Sequence, residues 1–182
     1  MNIFANFAAF QLGWFSSVLG GANQMPWIGP IAVFAIVAIH LARAERFTAE
    51  LTLIVICGSI GTLFDSLLVF MGWVEYPSGM FINQAAPYWI IGMWFLFATT
   101  LNLSMRWMKG RPLLAAVLGL VSGPLTYMAG HKLGGIEFAD QPAALAALGI
   151  GWAILMPVLM QIAERFDGVT PLRAEPEPEP AA

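Results

Sequence analysis

The chain is short of charge. Of its 182 residues only 10% are Asp, Glu, Lys or Arg, while 59% are hydrophobic. Soluble domains carry about 25% charged and about 45–50% apolar residues. About a third of a small domain's chain surface stays exposed, so a water-soluble fold of this length could not hide so much apolar surface. The shortage excludes an ordinary soluble domain and makes lipid the expected solvent. Cysteine is nearly absent too. The single Cys57 excludes an internal disulfide and a multi-cysteine metal centre, and in its apolar run it reads as a small buried hydrophobe. There are two histidines, His40 and His131, and they lack metal-ligand spacing. HExxH, GxxxxGK[ST] and GxSxG are all missing. No metal and no cofactor is expected. The few basic residues form short clusters without interleaved aromatics for base stacking, so nucleic acid is not an expected partner. No Lys or Arg precedes the first apolar stretch, which carries Asn6 and Gln11. It therefore reads as a retained membrane helix and not as a signal peptide.

What the chain does have is apolar runs of membrane length, about 17–25 residues each. Six candidates stand at 3–20, 27–42, 49–73, 87–108, 112–131 and 142–164. Pro26, Pro87, Pro112 and Pro142 fall where helices begin, a position that needs no backbone donor. Pro124 and Pro157 fall inside spans and predict kinks. Six spans place Arg43, Arg46, Arg106, Lys109, Arg111, Arg165 and Arg173 on one side and Lys132 alone on the other. By the positive-inside rule both termini are cytoplasmic. The seven tryptophans read mostly as interfacial anchors near span ends. The tail "TPLRAEPEPEPAA" alternates Glu and Pro and favours an extended, solvated chain. The expectation is an all-α polytopic membrane protein. A bundle of six transmembrane helices fills 1–167, and a disordered acidic Pro-rich tail fills 168–182.

One residue stands out. From Leu51 to Val74 the only charged side chain is Asp65. Gly58, Gly61, Asp65 and Gly72 share a helical face, and small residues let helices approach closely in lipid. Similar stripes run through Asn6, Gly13, Ser17 and Gly20, through Tyr88, Gly92, Thr99, Asn102 and Arg106, and through Gly119, Gly123, Tyr127 and Gly130. A carboxylate inside a membrane needs a partner. The outer ends of the spans gather Glu75, Tyr76, Asn83, Gln84, Tyr88, Tyr127, His131 and Lys132. With Asp65 these form the candidate substrate-binding pocket. Asp65 is expected to accept a hydrogen bond from Tyr127, or to pair with His131 or Lys132. His40 reads as an interfacial residue at the inner end, and no catalytic residue is assigned.

The runs "FDSLLVFMGW" and "APYWIIGMWFLFATTLNLSMRWM" resemble a family of small proteobacterial inner-membrane proteins catalogued as domain of unknown function 2878. The resemblance covers about residues 3 to 166. It implies a bacterial inner-membrane location. The family's gene neighbours resemble fatty-acid cyclopropane synthases and flavin amine oxidases, which implies a lipid-related role. Asp65, Gly72, Trp73 and Tyr76 are also spaced somewhat as in membrane carotenoid cyclases. The paired acidic motif of those enzymes is missing, so no catalytic residue carries over. The leading functional expectation is a protein that binds or helps modify a lipid or other hydrophobic small molecule through the pocket around Asp65. A structural or assembly subunit with another membrane protein as partner, and a small transporter, are the alternatives.

Overall fold

A computed structural model describes residues 2–169. Among the described residues there are six α-helices: α1 (Ile3–Ala22), α2 (Ile28–Ala42), α3 (Phe47–Phe70), α4 (Tyr88–Leu101), α5 (Pro112–Lys132) and α6 (Gln141–Arg165). Asn2 starts α1 by accepting from the Ala5 N–H at 2.7 Å, and Asp140 starts α6 by accepting from Ala143 at 3.1 Å, each satisfying a donor that a helix end leaves free. Four helices, α1, α3, α5 and α6, are long and apolar enough to cross a membrane. Phe4, Phe34, Leu63 and Leu113 stand 86%, 77%, 72% and 78% exposed. An apolar surface of this kind suits lipid and not water.

Successive helices run in alternating directions. One end collects the loops around Arg43, Arg46, Arg106 and Lys109 together with the end of α6; there Arg46 N–H bonds the Gly168 carbonyl and Arg106 meets Asp167. The far end collects the other loops. Two of them join in an antiparallel ladder of β1 (Val74–Glu75) and β2 (Glu137–Phe138). Two-residue strands such as these leave no signal in the apolar pattern. Here Val74 is buried and Glu75 exposed, the alternation of a half-buried strand.

Helix α4 is the hub, packed against α1, α2, α3 and α6. It is shorter than the expected 87–108 span. Thr99 and Thr100 turn their hydroxyls onto the carbonyls of Leu96 and Phe97. Asn102 directs its amide away, to Glu50 and to the Phe166 carbonyl. The chain then passes through turns to a 3-10 helix at Arg106–Met108. Such backbone is tolerated at depth where protein covers it, and Leu101, Asn102 and Met108 are buried. At 14 residues α4 rises about 21 Å, short of a hydrocarbon core of about 30 Å. Helices α5 and α6 continue through Pro124 and Pro157. The tail expectation lies, from 170 onward, outside the described residues. Gly168 belongs to the packed body, buried against Arg46 and Glu50.

Candidate functional site

The glycine face of α3 sets the geometry. A Cβ at Gly58 would collide with the Phe95 ring, and one at Gly61 with the Trp94 ring. Two α4 aromatics thus sit in notches that only glycine leaves open. Gly72 is different. It follows the helix with φ +68° and has nothing within 4 Å of a Cβ, so it serves the turn and not the packing.

Seated over Gly61, Trp94 donates its Nε1–H to Asp65 Oδ2 at 2.5 Å. On Oδ1, Tyr127 donates at 2.5 Å and Tyr76 at 3.2 Å. Asp65 is fully buried. Its partners are three neutral donors from α4, α5 and the residue after β1, and none is a cation. A carboxylate anion only accepts, so this shell matches it. Burial, and then the Asp65 carboxylate beside it, push the Tyr76 phenol well above its usual range. The phenol keeps its proton and donates. An edge-on contact with Trp89, with centroids 5.5 Å apart, steadies its ring.

Asp65 and Tyr127 form one wall of a cavity of about 440 Å³. The cavity lies between α1 and the α5–α6 hairpin, with α4 beneath. Trp14 and Phe10 come from α1, Met93, Trp94 and Phe97 from α4, and Trp152 and Met156 from α6. Ser122, Leu125 and Thr126 of α5 line it and remain exposed, so it opens sideways between α1 and α5. Ile136, against Gly130, borders its far end, and Gly135 packs on Val18, which also lines it. Trp94 and Trp152 stack at 4.9 Å and 12°, and Phe97 meets both edge-on. Gly119 and Gly123 admit Trp152, whose backbone and ring a Cβ there would strike. The close approach expected of that pair is present.

The candidate residues divide. Asp65, Tyr76 and Tyr127 come together. Glu75, Asn83, Gln84, His131 and Lys132 are exposed, and none lines the cavity. Tyr88 is half-buried against Phe81. The pairing of Asp65 with His131 or Lys132 does not form. His131 Nδ1 lies 2.9 Å from the Ile136 carbonyl, folded over the turn that ends α5, and three neutral donors already occupy Asp65. The tryptophans also need correction. Trp89 and Trp94 are buried and Trp14 and Trp152 line the cavity; only Trp27 and Trp107, 55% and 54% exposed, stand out as surface residues. The missed signal was position: Trp94 lies in mid-helix, opposite two glycines one turn apart.

A second buried cluster was missed entirely. Glu50, in the first turn of α3, is fully buried. Its Oε2 lies 2.7 Å from His40 Nε2; its Oε1 accepts from Asn102 at 2.7 Å and from the Gly168 N–H at 2.9 Å. Nearby, Asp167 accepts from Arg106 and Lys109, and its carbonyl accepts from Arg46. His40 is therefore a buried partner and not an interfacial residue. No residue of this cluster lines the cavity beside Asp65.

The family model described as Protein of unknown function (DUF2878) matches residues 3–158. The chain belongs to this family. No curated protein and no solved structure matches it. The matched range takes in every residue lining the cleft and ends before Asp167 and Gly168, which close the basic end.

Proposed function

We propose that the protein binds, or helps modify, a lipid or other hydrophobic small molecule in the cleft beside Asp65. The carrying observation is the cavity itself. Its volume of about 440 Å³ falls within the usual range of ligand pockets, about 300–1,000 Å³, and its lining is apolar and aromatic with a few fixed polar groups, as such pockets are. The chain sits in the bacterial inner membrane with six spans and both termini cytoplasmic. The collection of Arg43, Arg46, Arg106 and Lys109 at one end of the bundle supports that orientation. Reporter fusions after Glu75 and Glu137 are expected to read periplasmic and one after Arg111 cytoplasmic; the reverse pattern refutes the orientation. For the site, the protein is purified beside Ala129→Phe, which fills the cleft from α5, and both are extracted for mass spectrometry. An apolar molecule enriched with the wild type and lost from the variant is expected. Identical extracts refute the reading.

A further inference from the structure

We infer that the cleft selects an uncharged apolar molecule carrying an oxygen acceptor, of the ester or ketone class, and rejects carboxylates and cationic head groups. The inference rests on the cleft being a ligand site, as proposed above. Three observations carry it.

The first is an unmatched donor. Trp152 lines the cleft, and its Nε1–H is buried with no hydrogen-bond partner. A buried donor left unpaired costs about 1–3 kcal/mol, and an acceptor in the cleft removes that penalty. Across the cleft on α1, Gln11 lines the same space, and its amide makes no hydrogen bond within the described residues. The indole offers a donor, and the amide adds two more.

The second is the charge of the walls. No Lys, Arg or His lines the cleft. Lys109 and Arg106 are engaged with Asp167 at the basic end, and Lys132 is exposed. The nearest full charge is a carboxylate, Asp65. An anionic ligand would meet repulsion from Asp65 with no cation in the walls to offset it.

The third concerns cations. Six aromatic side chains beside a carboxylate suggest a cage for a quaternary ammonium. Three of the rings, however, pack on one another. Trp94 stacks on Trp152, and Phe97 sets its edge or face against both. Asp65 already holds three donors. Trp94 and Trp152 spend a face on each other and the carboxylate is taken by three donors, whereas the indole N–H lacks an acceptor.

The test uses bromine quenching of tryptophan fluorescence in the full chain in detergent, since Trp14, Trp94 and Trp152 border the space. Four probes share one dibrominated eighteen-carbon chain: a methyl ester, a carboxylate, a trimethylammonium and a plain hydrocarbon. Quenching is measured against probe mole fraction, with Ala129→Phe as the filled-cleft baseline. The ester is expected to reach half-quenching at about a threefold to tenfold lower mole fraction than the hydrocarbon, the worth of one net hydrogen bond. The two ions are expected to stay at baseline. Trp152→Phe should bring the ester down to the hydrocarbon. Gln11→Leu, on the half-buried wall of α1, should narrow the gap without touching the core, and it serves if Trp152→Phe does not fold. Quenching by the carboxylate or the ammonium equal to that by the ester overturns the selectivity while leaving the site standing. So does an ester preference that persists in both variants. If no probe quenches wild type beyond Ala129→Phe, the site falls, and the selectivity with it.

Discussion

Helix α3 carries two fully buried carboxylates, Glu50 near its start and Asp65 near its end, and they are used in opposite ways. Glu50 is tied into the chain. Its three partners come from α2, the end of α4 and the segment after α6, and one of them is a backbone N–H. Arg106 and Lys109 hold the neighbouring Asp167, and no residue of this cluster lines the cleft. Asp65 is held by three neutral side chains and stands beside an open cavity. Charge met by chain segments and set apart from the cleft fixes architecture. Charge met by side-chain donors at the edge of a void leaves room for a guest. Burial alone does not separate the two; the neighbouring space does.

The largest effect should come from breaking the tied end. Glu50→Ala removes the carboxylate from His40, Asn102 and Gly168 together, and losing one member of a buried pair costs about 3–5 kcal/mol. Thermal unfolding in detergent is expected to show a variant scarcely folded. A midpoint within a few degrees of wild type would mean that Glu50 is no more architectural than Asp65. Next comes the open end. Tyr127→Phe removes the 2.5 Å donor and should cost about 1–3 kcal/mol, with Tyr76→Phe, at 3.2 Å, costing less. Equal losses in chemical denaturation would show that the two phenols share the work. The smallest effect belongs to Lys132→Ala, expected within about 0.5 kcal/mol of wild type, as for exposed positions generally. A loss as large as that of Tyr127→Phe would restore Lys132 to the Asp65 site, against its position in the fold.

The sequence made some of this legible and concealed the rest for physical reasons. The six helices were readable because lipid enforces long apolar runs, although the end of α4 was not, and the small and polar stripe of α1 is the face that packs: Asn6, Gly13, Ser17 and Gly20 are all buried. Asp65 was visible because it interrupts such a run. Tyr127 was reachable because a rise of about 1.5 Å per residue puts it at a similar depth. Glu50 escaped because an acidic residue in a helix's first turn suits the dipole without burial. Only the return of residues 166–168 over it, a long-range contact, encloses it. The roles of Trp94 and Trp152 are not legible, since composition cannot say whether an aromatic anchors in lipid or fills a glycine notch. The outer cluster was overdrawn because gathering polar residues by depth ignores the direction in which each side chain leaves its helix.

The glycine notches of α3 have one more consequence. Trp94 is positioned by its seat over Gly61, Tyr76 by the β1–β2 ladder and the Trp89 ring, and Tyr127 by the α5–α6 packing. None of these supports depends on Asp65. The three donors therefore form a mould, with the carboxylate as its casting. Cutting Asp65 back to alanine would leave the mould standing with its polar hydrogens converging on an empty space the size of a formate ion. Preorganisation of this kind is what oxyanion-binding sites rely on; here the protein has filled such a site with its own side chain.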